Sequence, residues 1–285
     1  MKAEVRKRIA AARAVLFDLD GTLALGDREA HGYRSLAGAV ELLEGLRRAG
    51  RPYAILTNGT MHTPHAYVEM LRGSGFDVAE SAMLTPAVVA ADFFVRKGYR
   101  NVLVLGEEGS SRPLIDAGLV VTRPGEAAAR AGEAAARVDA VFVGWHPDFG
   151  LRDLEAACNA AWAGASLYTA SVAPFFATRS GKAIGVSGAI CAAIASVTRQ
   201  RVHVLGKPAL VALRVAARRL EVACKELLVV GDDPELETRM ARAGGAAAIG
   251  VLSGFATADA YARLPPARRA HLVVNSVADL LPLFA

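Results

Sequence analysis

The chain has 285 residues, 53% of them hydrophobic and 21% charged, which is enough for one large domain or two around a sizeable core. No apolar run reaches the roughly 18 residues that a membrane span requires, so a bilayer-crossing protein is excluded as an expectation. The formal net charge is +5, but the arginines are scattered along helical segments rather than gathered with aromatics into a strip, so no nucleic-acid partner is expected.

The opening segment, "MKAEVRKRIAAARAVLF", is basic. It lacks a signal-like apolar stretch with a small-residue cleavage site and reads as a short helical or frayed arm. A strand is expected over "AVLFDLD" (14–20), followed by a helix with a buried stripe at Leu36, Val40 and Leu43. "PYAILTN" (52–58) is the next strand. Between 83 and 200 the alternation recurs with strands at "NVLVLG" (101–106), "GLVVT" (118–122), "DAVFVGW" (139–145) and "SLYTA" (166–170). A helix over 208–220 then precedes strands at "ELLVVGD" (226–232), "AAAIGV" (246–251) and "HLVVN" (271–275). Several of these runs are apolar at nearly every position, as strands covered on both faces should be. Alternating strands and helices indicate an α/β fold with parallel sheets and crossover helices, the segment 83–200 forming a second α/β unit inserted into the first. Cys158, Cys191 and Cys224 match no disulfide framework or zinc pattern, and are expected as buried thiols in a reducing, cytoplasmic setting.

Four stretches place polar residues where an apolar strand stops: "DLDGT" (18–22), "TNGT" (57–60), "GKP" (206–208) and "GDDPELE" (231–237). In open α/β sheets, ligands bind in the crevice beyond the carboxyl ends of the strands. Singly, "TNGT" and "GKP" are compatible with plain turns. "DLDGT" is more telling, because turn-capping does not call for two acids at one strand end, where they repel each other.

In this order, and over nearly the whole chain, the four motifs resemble the phosphatase branch of the haloacid dehalogenase superfamily. The inserted segment resembles the larger α/β cap of subfamily IIA, which holds p-nitrophenyl phosphatases, phosphoglycolate phosphatases and related sugar phosphatases. The likeness is carried by "DAVFVGWHPDFGLRDLEAACNAAWAGASLYTA" followed by "GVSGAICAAI". The resemblance implies a Rossmann-like, doubly wound parallel-sheet core of residues 1–82 and 201–285, with an inserted α/β cap of 83–200. It implies that Asp18 is a nucleophile forming an aspartyl-phosphate, and that Lys207 is a fixed positive charge beside it. Mg²⁺ would be held by the Asp18 carboxylate, the Asp20 backbone carbonyl and Asp232, with Asp233 and Glu237 holding the metal's waters or its outer contacts. Relatives usually carry Asp at the position of Glu237. Thr57, Asn58, Gly59 and Gly21 would cradle the phosphate oxygens through a hydroxyl and backbone amides.

Asp20 then has a distinct task. A leaving alkoxide needs a proton, and the same carboxylate, once ionised, can deprotonate the water that attacks the aspartyl-phosphate. A dehalogenase of the superfamily needs neither this second aspartate nor the "GDD" site, and its phosphoryl-transferring pumps carry Thr there. The expectation is a Mg²⁺-dependent phosphatase acting on a small phosphorylated metabolite. A phosphomutase and a non-catalytic sugar-phosphate-binding regulatory protein are the alternatives, and intact Asp18, Asp20, Lys207 and Asp232 weigh against the latter. Relatives dimerise through the cap, which makes a homodimer through that unit a further expectation.

Weaker signals remain open. His62 and His65 could face the crevice or simply begin a helix, and His146 stands in a cap loop where relatives commonly have Asp. In "TASVAPFFATRSGKAIG", relatives tend to read Thr-Asn followed by Asp where this chain has Ala170, Ser171 and Ala173. "RSGKA" lacks the earlier glycine and the following Ser/Thr of a nucleotide P-loop, and is read as a loop with Arg179 and Lys182 as candidate anion contacts.

Overall fold

The computed structural model describes residues 3–27, 32–129, 138–178 and 181–284. The strands are β1 (Ala14–Phe17), β2 (Ala24–Asp27), β3 (Gly32–Ser35), β4 (Tyr53–Leu56), β5 (Met83–Leu84), β6 (Asn101–Leu105), β7 (Val120–Thr122) and β8 (Ala140–Val143). They continue with β9 (Ser166–Thr169), β10 (Phe175–Thr178), β11 (Gly181–Ile184), β12 (Val202–Val204), β13 (Leu227–Gly231), β14 (Ala247–Val251) and β15 (Leu272–Val274). The chain divides into two compact units, one of residues 1–57, 65–84 and 207–285, the other of 58–64 and 85–206. Among the described residues no helix is long and apolar enough to cross a membrane.

The first unit is built on a six-stranded sheet in the order β15-β14-β13-β1-β4-β5, parallel throughout. From β1 the chain winds outward through β4 and β5, then returns to β13 on the other side and winds outward again to β15. That reversal beside β1 is the topological switch point of a doubly wound sheet. All four residues of β1 and all five of β13 are buried, because helices cover both faces and leave no strand face for water. Val15, Phe17, Leu19, Leu228 and Val230 lie in one hydrophobic cluster with Leu42, Leu46 and Leu71 from the covering helices.

The second unit repeats the plan on a smaller scale. Its sheet runs β12-β9-β8-β6-β7, also all parallel, with β6 and β8 at the centre. The helix Pro86–Arg96 shows how sharply the sequence punctuates it. Thr85 in extended conformation accepts a hydrogen bond from Val88 N at 3.3 Å, and Pro86 occupies the first turn, where its missing N–H costs nothing. Phe94, fully buried, packs edge-on against Phe142 and Tyr168 to join that helix to β8 and β9.

Three expectations need correction. The helix after β1 spans Ala39–Arg48 and buries Ala39, Leu42, Leu43 and Leu46; Leu36 lies ahead of it and Val40 is only half-buried. The antiparallel hairpin of β2 and β3 takes up the preceding residues and delays the helix start to Gly38. The stretch around "RSGKA" is not a simple loop: β10 and β11 pair antiparallel, with Ala177 opposite Lys182 and Thr178 opposite Gly181. Arg179 lies outside the described residues. Of the three cysteines, Cys158 and Cys191 are buried free thiols but Cys224 is only half-buried.

Candidate active site

Register brings the candidate residues together. Phe17 of β1 pairs with Val230 of β13 and with Ile55 of β4, so Asp18, Asp232 and Thr57 leave the sheet on adjacent strands at the same edge. Asp18 continues the ladder by one bond, its N–H donating to Val230 O at 2.9 Å. The chain then winds tightly about the Leu19 carbonyl, which accepts from the amides of Thr22, Leu23 and Ala24 at 3.3, 3.0 and 3.0 Å. Leu19 and Leu23 are fully buried and anchor this loop from below. Gly21 is required twice over. Its φ is +89°, and a Cβ there would stand 2.6 Å from Asp232 Oδ2.

Asp18 is held from both oxygens. Lys207 Nζ donates to Oδ1, and Thr22 Oγ1 donates to Oδ2 at 2.9 Å. The same ammonium lies 2.7 Å from Glu237 Oε1, and both partners are buried. Glu237 reaches it because Pro234–Thr238 form a π-turn whose first residues are capped by Asp233, which accepts from Glu235 N at 2.8 Å. Glu237 Oε2 in turn accepts from Asp233 N at 3.0 Å. Asp232 Oδ2 accepts from Phe255 N at 2.8 Å.

Asp20 keeps an edge open to solvent. Thr57 Oγ1 donates to its Oδ2 at 3.3 Å, and the Tyr33 ring lies beside its Oδ1. The surrounding protein, and after it the charge of Asp18, raise the Asp20 pKa to about 6. Burial and then Asp18 also push Asp232 upward, and burial pushes Glu237 upward against the pull of Lys207. For Lys207 burial opposes the charge, but Asp18 and Glu237 outweigh it and hold the ammonium protonated.

Four carboxylates thus crowd around one cation, and the upward shifts of Asp20, Asp232 and Glu237 come first from burial, with the charge of neighbouring Asp18 added to it. Such a set fits a hard divalent cation. Among the described residues no three His, Cys, Asp or Glu side chains form a cage for a metal. Mg²⁺ needs no such cage, since it is usually bound by one or two carboxylates together with waters and phosphate oxygens. Asp18 and Asp232 are the two acids here that could supply the carboxylates. The Asp20 carbonyl is left out of the bridge between Asp20 and Ala24, whose bonds run from Gly21 N to Ala24 O and from Ala24 N to Leu19 O.

Not every expected residue joins this group. Asn58 and Gly59 follow Thr57 directly but belong to the second unit, where a Cβ on Gly206 would meet Asn58 Oδ1 at 2.4 Å. His65 is exposed on the helix Pro64–Arg72 and pairs with Glu80 at 3.2 Å. His146 Nε2 stands 3.4 Å from Asp153 Oδ2, and Ser171 Oγ accepts from Ala173 N at 3.1 Å within its own loop. A cavity of about 350 Å³ in the second unit is lined by Gly106, Glu107, Glu108, Arg123, His146 and Asp148. Sequence reading gave no role to Thr22, Tyr33 or the Phe255 amide. Thr22 was visible inside "DLDGT", whereas Tyr33 belongs to no motif and a backbone amide leaves no residue signature.

Comparison with known proteins points to a family of hydrolases. The family model described as haloacid dehalogenase-like hydrolase matches residues 15–120, and a second, HAD-hydrolase-like model matches 204–280. The ribonucleotide monophosphatase NagD of Escherichia coli K12 is 26% identical over 270 residues, covering 93% of this chain and 97% of that protein. A hypothetical protein of Pyrococcus horikoshii OT3 superposes with a TM-score of 0.85 at 27% identity, covering 95% of this chain and 99% of that one. A glycerol phosphate phosphatase of Mycobacterium tuberculosis, solved in complex with magnesium, gives a TM-score of 0.79 at 28% identity, covering 95% of this chain and 77% of that one.

Proposed function

Since the chain belongs to the haloacid dehalogenase-like hydrolases, we propose that it is a Mg²⁺-dependent phosphatase of a small phosphorylated metabolite, working through a phosphoryl group carried on Asp18. The observation that carries this reading is the pair Asp18 and Asp20. The first carboxylate is clamped by Lys207 and Thr22, and the second is solvent-accessible and held by hydroxyls.

The two acids divide the work. An Asp18 oxygen attacks phosphorus, forming one P–O bond while the bond to the leaving oxygen breaks. Asp20, protonated, gives its proton to that oxygen. Its carboxylate then takes a proton from water, the resulting hydroxide attacks phosphorus, and the bond to Asp18 breaks to release inorganic phosphate. A pKa near 6 suits a group that must both give and take a proton near neutrality. Lys207, kept charged by its two carboxylates, offsets the negative charge that gathers as Asp18 meets a phosphate dianion. Asp18, Asp232 and the Asp20 carbonyl would hold Mg²⁺, which would supply the rest of that neutralisation when bound. Thr57, Gly21, Asn58 and Gly59 are assigned to the phosphate oxygens, and Asp233 and Glu237 to the supports of this centre.

The reading takes the first unit as the catalytic core and the second as a cap that selects the substrate. The names of the relatives support a small phosphorylated substrate, since one is a ribonucleotide monophosphatase and another a glycerol phosphate phosphatase. Phosphate release from a panel of nucleoside, sugar and glycerol phosphates and p-nitrophenyl phosphate, with Mg²⁺, is the test. Turnover of at least one, lost in Asp18→Asn, is the expected result; no release from any of them overturns the proposal.

A further inference from the structure

Asp20 has a partner that none of the four motifs contains. Tyr33 lies on β3, directly opposite Gly26 of β2 in the hairpin register. A Cβ on Gly26 would meet Tyr33 Cε1 at 3.3 Å and Asp20 Oδ1 at 3.5 Å, so the phenol ring and the carboxylate oxygen converge over the same bare stretch of backbone. The end of the phenol ring that bears the hydroxyl thus lies beside the Asp20 carboxyl, within reach of a hydrogen bond to it.

The ring is fixed from several sides. Ser74 Oγ donates to the Tyr33 carbonyl oxygen, and the Tyr33 ring packs 6.3 Å from that of Tyr67, a buried residue of the helix Pro64–Arg72. Burial and then Asp20 keep the Tyr33 pKa well above the usual phenol value, so the hydroxyl retains its proton. Thr57 holds the other carboxylate oxygen, Oδ2.

We propose that Tyr33 is a positioning residue for the proton shuttle, aiming the Asp20 carboxyl at the leaving oxygen in the first step and at water in the second. This rests on the phosphatase reading and deepens it. The physical advantage lies in the type of partner. A hydroxyl can donate or accept, so Thr57 on Oδ2 and Tyr33 beside Oδ1 flank the Asp20 carboxyl from two sides and fix its orientation. A lysine or a backbone amide could only donate, and would favour the ionised form alone. Tyr33 touches neither phosphorus nor the metal in this scheme and acts only through the Asp20 side chain.

Tyr33→Phe keeps the ring against Tyr67 and removes the hydroxyl alone. The experiment is rapid mixing with p-nitrophenyl phosphate and with phenyl phosphate, with Mg²⁺, following phenol release before and after the first turnover. For p-nitrophenyl phosphate, whose leaving group needs little proton, the rate of the first turnover should stay within about twofold of wild type. The later steady rate should fall about 10–100-fold, a partial loss of the ~10²–10⁴ that a general acid–base group contributes. For phenyl phosphate, the poorer leaving group, the first turnover should slow as well, with KM unchanged. The burst amplitude counts folded sites, so partial misfolding lowers the amplitude and leaves the rates interpretable. Wild-type rates in both phases overturn the proposal, as does a raised KM at unchanged kcat or an equal slowing of the first turnover with both substrates. If the wild-type chain itself forms no phosphoenzyme, the phosphatase reading falls and this inference with it.

Discussion

Lys207 Nζ stands 2.7 Å from Glu237 Oε1 while donating to Asp18 Oδ1, so one buried ammonium is shared by two carboxylates from different parts of the chain. Its desolvation is offset only while both acids are present. Glu237→Leu removes one of them and also frees the Asp233 amide. Breaking a buried pair by deleting one partner costs about 3–5 kcal/mol, and a loss of this order is expected in urea unfolding. Glu237→Asp, one methylene shorter, should fall between this variant and wild type. An unchanged unfolding midpoint in Glu237→Leu would show that the pair contributes nothing to the fold.

Asp18→Asn and Asp20→Asn should fail in different ways. Without Asp18 no phosphoenzyme can form with any substrate. Without Asp20 the nucleophile remains, and p-nitrophenyl phosphate needs little protonation. A burst of nitrophenol close to the enzyme concentration should appear, followed by a stalled water step slower by about 10²–10⁴-fold. Mass spectrometry should then find one phosphoryl group on Asp18. Identical behaviour of the two variants, with no burst and no labelled peptide, contradicts the division of labour.

Metal dependence follows from the proposed Mg²⁺ site at Asp18 and Asp232. Excess EDTA should abolish phosphate release and Mg²⁺ should restore it. Asp232→Asn should raise the Mg²⁺ needed for half-activity by more than the about 10–100-fold typical of an outer contact, because a direct ligand has lost its charge. Full activity in EDTA counts against the metal assignment.

A fourth expectation concerns stability and pH. His271 is half-buried; its Nδ1 accepts from Ala248 N at 3.0 Å, and Arg242 faces Nε2. Burial, then Arg242 and Arg8, lower its pKa to about 4 from an ordinary value of 6.5. The fold therefore favours the neutral ring, and the unfolded chain takes up the proton first. The stability this confers is complete above about pH 6.5 and is lost as pH falls from there through about 4. In His271→Gln, which has no proton to gain, the slope of the melting temperature against pH across that window should be shallower than in wild type. Equal slopes would remove His271 from the acid sensitivity of the fold.

The sequence by itself determined the fold class and its main strands. Runs such as "AVLF", "YAIL" and "LLVVG" are apolar at successive positions because both sheet faces are covered, and that signal is local. It also singled out Asp18, Asp20, Lys207 and Asp232, since polar residues at the ends of buried strands are unusual in any context. Only the tertiary structure decided their partners. Lys207 and Asp18 are 189 positions apart, and their meeting depends on how β1 and β13 pair and on the helix that follows Lys207. Glu237 turns to Lys207 from a π-turn after Asp233, and its side chain passes so close to Gly231 that a Cβ there would meet Glu237 Cγ at 2.2 Å. The β2–β3 hairpin was invisible for the same reason. Its residues "ALGD" and "GYRS" carry no strand alternation, and what places Tyr33 on Asp20 is cross-strand register, the Ser74 bond and the Tyr67 ring. Apolar burial leaves its mark on neighbouring residues along the chain, whereas a hydrogen bond between distant polar groups exists only once the backbone has brought them together.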